Sequence, residues 1–237
     1  MPPMPPKPPK PPAPSLSPPR PHLFRHPLPS FLPCLLLSLL FAVLLALVSA
    51  RWSPLLALDR DIATALHHTA VTAPGLTQAN KVFSDWIWDP WTLRALLAVA
   101  FIALLRRGQW LLGCWVVVTA AVGTALQQVL KALVGRHRPV WPDPVDSAHY
   151  AAFPSGHAMT AAVVGGLALW LLRLYGARRR WRWAAAALVA GSVAGVGFTR
   201  VYLGVHWATD VLGGWLLGAA LVAAASTAYA RRYGTHR

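Results

Sequence analysis

The 237-residue chain contains no glutamate, and its acidic residues number only seven: Asp59, Asp61, Asp85, Asp89, Asp143, Asp146 and Asp210. Carboxylates so few and so dispersed make a carboxylate-built metal cage hard to assemble, and no metal or other cofactor is expected. Charge of either sign is scarce. Charged residues make up 12% of the chain, where a soluble domain carries about 25%. With 56% hydrophobic residues and a mean hydropathy of +0.46, the profile is that of a polytopic membrane protein. Cysteine is nearly absent: Cys34 and Cys114 both fall inside apolar runs, read as small buried hydrophobes, and indicate no redox compartment. The net charge of +15 would by itself suggest nucleic acid. The bases, however, flank apolar runs and form no soluble basic face, so no nucleic-acid partner is expected.

What the chain has in abundance is ordered along its length. Residues 1–30 are dominated by proline, with Lys7, Lys10, Arg20 and Arg25 interspersed. They cannot bury a core and read as a disordered or polyproline-II tail. Phe31 to Ala50 is the first run long enough to span a bilayer. Arg51 to Asp89 is mixed and aromatic. A helical patch at Leu55 to His68 and the tryptophans Trp86, Trp88 and Trp91 suggest a surface segment ending in an aromatic belt. Five further spans follow at about Trp91–Leu105, Trp110–Leu130, Gly156–Tyr175, Trp183–Phe198 and Trp207–Ala228. The expected fold is all-α, a bundle of six transmembrane helices over 31–230 with a short basic tail at 231–237.

The basic residues set an orientation. The N-terminal tail, Arg106-Arg107, the cluster Arg178-Arg179-Arg180 with Arg182, and Arg231-Arg232 all fall on one side of a six-span chain. The positive-inside rule makes that side cytoplasmic, together with both termini. The arginine cluster then reads as a topology determinant or an anionic-lipid contact. On the other side, Lys131, Arg136, Arg138 and Arg200 stand where the rule does not favour cations, and something negative is expected beside them.

Every candidate reactive group falls at that same face. Lys131 ends the third span, Ser155-Gly156-His157 opens the fourth, Arg200 closes the fifth, and His206 with Asp210 opens the sixth. Four residues apart, His206 and Asp210 share a helix face; the carboxylate would fix the imidazole tautomer and leave the other nitrogen nucleophilic. Lys131, Arg138 and Arg200 supply positive charge, and arginine suits bidentate phosphate binding. Ser155 can cap the helix that Gly156 opens, and its hydroxyl and the Gly156 N–H add neutral donors at a helix N-terminus. Together these form a phosphoryl-transfer site, with a cationic cradle, one activated histidine and one histidine for the leaving group.

Some neighbours have plainer readings. Lys131 could equally snorkel to the interface, although its spacing to Arg138 favours phosphate. Arg136 and His137 stay open between loop solvation and substrate contact. Asp143, Asp146 and His149 read as ordinary loop residues, and His67 and His68 as structural.

Lys131-Ala-Leu-Val-Gly-Arg-His-Arg138-Pro139, Pro154-Ser155-Gly156-His157 and Thr199-Arg200-Val-Tyr-Leu-Gly-Val-His206-Trp-Ala-Thr-Asp210 resemble, in order and internal spacing, the three signature motifs of the type 2 phosphatidic acid phosphatase family. The departure is Thr199, where the family usually has serine; threonine keeps the hydroxyl. The resemblance implies that His206 attacks phosphorus to form a phosphohistidine, with Asp210 orienting it. It implies that His157 protonates the leaving oxygen and then activates water. Lys131, Arg138, Arg200, Ser155 and Gly156 would hold the phosphate oxygens, without a metal. The expected protein is a membrane lipid phosphatase whose site faces outside at the lipid–water boundary. Its substrate would be a lipid phosphate or pyrophosphate such as phosphatidic acid, phosphatidylglycerol phosphate, diacylglycerol pyrophosphate or polyprenyl pyrophosphate. The alternatives are a phosphotransferase with an alcohol acceptor, action on a small soluble phosphate ester, and a non-enzymatic lipid-binding or transport protein on the same fold.

Overall fold

The computed structural model describes residues 31–233. The expectations for 1–30, and for 234–237 of the C-terminal tail, lie outside the described residues. Among the described residues the regular structure is entirely helical. The elements are α1 (Leu32–Ser49), α2 (Ser53–Thr72), α3 (Pro74–Val82), a π-helical turn (Phe83–Ile87), α4 (Pro90–Arg106), α5 (Trp110–Val134), α6 (Gly156–Leu174), α7 (Arg179–Tyr202) and α8 (Ala208–Tyr233). Six stretches are long and apolar enough to cross a bilayer: α1, α3 through α4, α5, α6, α7 and α8. The all-α, six-span expectation is met.

The boundaries differ where hydropathy alone was the guide. The second span is extended backwards by the π-turn and α3, although the polar sequence there reads as surface. The fifth is not short: α7 takes in Arg179, Arg180 and Arg182, because arginine is a good helix former and a solvated guanidinium leaves the backbone ladder intact. For the same reason α8 runs through Arg231 and Arg232 to Tyr233, past the boundary expected at 230. The patch at Leu55 to His68 does form a helix, within α2.

Local chemistry explains the ends that matter for the site. Asp89 caps α4, its carboxylate accepting from the N–H groups of Trp91 (2.7 Å) and Thr92 (3.3 Å), with Pro90 in the first turn. Gly135 takes a left-handed conformation (φ 58°) and donates to the Lys131 carbonyl, which stops α5 and turns Arg136 out of the helix. Ser155 precedes α6 in extended conformation, but its side chain makes no capping bond; the expectation of a serine cap fails.

α8 is the centre of the bundle, packing chiefly on α6 and α1 and also on α7, α5 and α2. Glycines make this possible. A Cβ on Gly214 would stand 2.6 Å from the Ser155 carbonyl oxygen, and one on Gly218 3.0 Å from that of Met159. Phe153 is fully buried, stacked on Phe41 (centroids 6.1 Å apart), and Gly213 leaves the room its ring occupies. Close backbone approach of this kind replaces the hydrophobic effect as the packing force between helices in lipid. Outward, Leu35, Leu36, Leu39, Leu40 and Val43 of α1 and Leu96, Val99 and Ile102 of α4 are bare. So much exposed apolar surface on fully hydrogen-bonded helices suits hydrocarbon. Cys114 belongs to this exposed surface and Cys34 is half-buried, so neither is the buried hydrophobe expected of it. Trp86 and Trp91 are exposed as a belt would be, whereas Trp88 packs into the space left by Gly195.

Gly214→Ala should therefore push the start of α6 from the start of α8. Overpacking of this kind costs about 1–3 kcal/mol, and thermal unfolding in detergent should show a lower Tm for Gly214→Ala but little change for Gly191→Ala, where a Cβ meets nothing.

Candidate active site

The alternation of helix direction brings the end of α5, the start of α6, the end of α7 and the start of α8 to one end of the bundle, with α2 and the 135–155 loop over them. All eight residues expected at the site lie there: Lys131, Arg138, Ser155, Gly156, His157, Arg200, His206 and Asp210.

Asp210 is completely buried and fully bonded. Its Oδ2 accepts from the Trp207 N–H (2.9 Å) and faces His206 Nδ1 (3.3 Å), while Oδ1 accepts from Arg136 Nη1 (2.6 Å). Its backbone carbonyl accepts from the Ser155 N–H (2.9 Å), tying the second motif to the third. On the other side of the imidazole, Arg138 Nη1 lies 3.1 Å from His206 Nε2. A guanidinium can only donate, so Nε2 accepts, the ring proton sits on Nδ1, and Nδ1–H points at Asp210. The nucleophilic lone pair thus faces a cation, the place an anionic substrate would take.

The cations are held by the backbone. Arg138 donates to the carbonyls of Tyr150 (Nε, 2.9 Å), His149 (Nη2, 3.1 Å) and Val205 (Nη1, 2.5 Å). Lys131 Nζ donates to the Ala151 carbonyl (2.6 Å). Arg200 is buried; its Nη1 donates to Ser84 Oγ in the π-turn (2.8 Å) and lies 4.0 Å from Asp85 and 3.9 Å from Asp146. These two aspartates are the negative groups the surplus of cations called for, and Asp146 is more than an ordinary loop residue. Half-buried in the first turn of α6, His157 stands within electrostatic reach of Arg200, His206, Arg138 and Lys131. Two buried polar atoms here lack a protein partner, Ser155 Oγ and Arg200 Nε, and both can donate to phosphate oxygens.

Three neighbouring positions take definite places. The space beside Gly156 is taken by the Gln127 amide, 3.2 Å from where a Cβ would lie, so helix packing on α5 accounts for this glycine. The Thr199 hydroxyl donates to the Val196 carbonyl of its own helix (2.9 Å), a bond that needs only the hydroxyl threonine shares with serine. His67 is structural, as read: it stacks on Trp141 at 4.0 Å, and Trp141 Nε1 in turn donates to the Gly204 carbonyl. Burial pushes the His67 pKa below its ordinary value, against the opposing pull of Asp143.

Sequence reasoning left Arg136 open and gave Asp59 no role. Both are central: Arg136 bridges Asp59 and Asp210, at 2.6 Å each. A signal for Asp59 was present, since it shares the buried face of α2 with Ala63, His67 and Ala70, an unusual place for an unpaired carboxylate. Ser84 had no such signal; only the fold brings it to Arg200.

The His206 pKa is pushed well below its ordinary value, first by burial and then by Arg138, Arg200 and Lys131. The sign for stability follows. Unfolded, the ring takes a proton below about pH 6.5; folded, it does not, so its contribution to stability is lost as pH falls below that value. Between pH 7 and pH 5, the Tm of the wild-type protein in detergent should fall more than that of His206→Gln.

The family model described as the PAP2 superfamily matches residues 112–233, just over half of the chain and all three motifs. Among curated proteins, the chain is 28% identical over 148 residues to an undecaprenyl-diphosphatase of Sulfolobus acidocaldarius, covering 59% of this chain and 62% of that one. It is 40% identical over 94 residues to a phosphatidylglycerophosphatase B of Bacillus subtilis, covering 39% and 46%. It is 31% identical over 147 residues to a lipid A 4'-phosphatase of Bacteroides thetaiotaomicron, covering 56% and 60%. The chain thus spans less than two thirds of each of these relatives. The crystal structure of a transmembrane PAP2-type phosphatidylglycerolphosphate phosphatase from Bacillus subtilis superposes with a TM-score of 0.75 at 26% identity, covering 88% of this chain and 100% of that one. With the family matched across the residues that the geometry gathers into one site, the chain belongs to the PAP2 superfamily.

Proposed function

We propose that this protein is an integral membrane lipid phosphatase that hydrolyses a lipid phosphomonoester or pyrophosphate through a phosphohistidine on His206. The observation that carries this reading is the buried imidazole held between Asp210 at Nδ1 and a cation at Nε2, which leaves one nucleophilic lone pair facing an anion site. In the first step Nε2 bonds to phosphorus as the P–O bond to the lipid breaks, and His157 gives its proton to the departing oxygen. In the second, His157 takes a proton from water, the hydroxide attacks phosphorus and the P–N bond breaks, returning both histidines to their starting states. Lys131, Arg138, Arg200, the Ser155 hydroxyl and the Gly156 N–H stabilise the charge on the equatorial oxygens. No step needs a metal.

A lipid substrate is supported by the site's place at one end of a bilayer-spanning bundle and by an apolar cleft of about 220 Å³ between α4, α6 and α7. The cleft is lined by Trp88, Leu93, Leu97, Gly165, Val189 and Val193, and Trp88 lies one turn from Ser84, which holds Arg200. The relatives' names agree, since each denotes a phosphatase of a lipid-borne phosphate. The catalytic unit is the six-helix region 31–230. All seven aspartates lie at the site end of the helices, and Arg106, Arg107, Arg178–Arg180, Arg182, Arg231 and Arg232 lie at the other. This supports an outward-facing site with both termini cytoplasmic.

Purified protein in detergent with EDTA should release phosphate from at least one of phosphatidic acid, phosphatidylglycerol phosphate and polyprenyl pyrophosphate. His206→Ala and His157→Ala should each lower turnover by at least the roughly 10²–10³-fold typical of losing one transition-state contact. Near-normal turnover in either variant, or strict dependence on an added divalent ion, would sink this mechanism. Product analysis with a lipid alcohol added separates hydrolysis from transfer. For sidedness, Ser147→Cys in a chain with Cys34 and Cys114 replaced by alanine should react with an impermeant maleimide added to intact cells; labelling only after lysis would reverse the orientation.

A further inference from the structure

We propose that Asp59 and Arg136 are positioning residues: through a carboxylate–guanidinium–carboxylate chain they hold Asp210 and keep its charge available to the His206 imidazole. The inference rests on the reading of His206 as nucleophile. Neither residue reaches the cradle, and neither touches the reacting atoms; they act through Asp210.

Both terminal nitrogens of the guanidinium are engaged. Arg136 Nη2 donates to Asp59 Oδ2 (2.6 Å), and its Nη1 donates to Asp210 Oδ1 (2.6 Å) and Thr209 Oγ1 (2.7 Å). Asp59 accepts in addition from the Thr209 N–H (3.0 Å) and Thr209 Oγ1 (2.5 Å), so α2 is bonded to the first turn of α8 on both sides of the guanidinium. The two carboxylates are essentially unexposed and Arg136 is 11% exposed. Its guanidinium also lies over the Trp207 ring, 5.7 Å from the centroid.

Charge explains why two carboxylates are needed. When Nε2 bonds to phosphorus, the ring keeps its Nδ1 proton and becomes cationic, in a pocket that Arg138, Arg200 and Lys131 already make hostile to a cation. Asp210 must offset that charge. Were Arg136 paired with Asp210 alone, the guanidinium would neutralise it. Asp59 takes up the far side of the guanidinium, leaving the triad of Asp59, Arg136 and Asp210 one negative charge in excess beside His206. The cationic intermediate closes that balance. Lysine at 136 would be a poor replacement, because its compact ammonium lacks the rigid planar fork that sets one nitrogen toward each carboxylate.

The test uses full-length protein in detergent and whichever of the three lipid substrates above the wild type hydrolyses fastest. Asp59→Asn keeps the size and the acceptor oxygen but removes the charge; Arg136→Gln removes the bridge. Each should lower kcat about 10–100-fold, the range typical of losing a group that orients a reacting ligand, with KM and the affinity for inorganic phosphate, which binds without a bond to Nε2, within about twofold of wild type. Asp210→Asn should lower kcat strongly, and in that background neither second substitution should lower it further by more than about threefold. Wild-type kcat in Asp59→Asn overturns the proposal. So does a full additional loss in the Asp210→Asn background, which would mean the pair acts elsewhere, and so does a parallel loss of inorganic phosphate binding and Tm, which would reduce the pair to a brace for the fold. If His206→Ala retains turnover, the reading of the nucleophile fails first, and that outcome is distinct from all three.

Discussion

A buried carboxylate has to be paired, and the structure of this site follows from satisfying Asp210. Removing an ion from water costs several kcal/mol even after relaxation, so an unpaired charge at this depth would be protonated or expelled. Asp210 meets the requirement with partners from three parts of the chain: His206 and the Trp207 N–H just before α8, Arg136 from the loop after α5, and Asp59 at one remove from α2; its backbone carbonyl, separately, accepts from the Ser155 N–H. Each bond fixes a segment that carries part of the chemistry. Those segments are separated by scores of residues, and this one charge is where they meet.

That convergence depends on helices approaching more closely than ordinary side chains permit. Gly214 lets the Ser155 carbonyl lie against α8, and Gly213 makes room for Phe153, the anchor of the loop that carries Arg136 and Arg138. Replacing such a contact with a larger side chain would push Ser155 and the start of α6 away from His206 and Asp210.

The electrostatics are those of an anion site held in check. Lys131 and Arg138 donate to loop carbonyls, and Arg200 rests near Asp85 and Asp146. Backbone dipoles and nearby carboxylates keep these cations in place, while burial and the same cations push the His206 pKa well below its ordinary value and favour the neutral imidazole. The absence of glutamate is consistent with this economy. Every aspartate lies at the site end, where Asp59, Asp85, Asp146 and Asp210 each answer an arginine.

Periodicity and hydropathy determined the six spans, because a bilayer admits little besides apolar helices and a long apolar run has few other uses. The positions of Lys131, His157, Arg200, His206 and Asp210 at helix ends determined that they share one face, because successive spans alternate in direction. His206 and Asp210 do pair, but not across a helical turn as their spacing suggested: His206 lies before α8, and Asp210 in the first turn of α8 reaches back to it while accepting from the Trp207 N–H. Tertiary structure decided what local rules cannot reach. The sequence shows an aspartate on the apolar face of α2 and an arginine inside the first motif, yet nothing in it says that they bond to each other and to Asp210. It could not show that Ser84, more than a hundred residues from Arg200, holds that guanidinium, or that Gly156 answers Gln127. Helical periodicity is written in the few residues that make each turn, whereas the partner of a buried charge is set by which helices lie side by side.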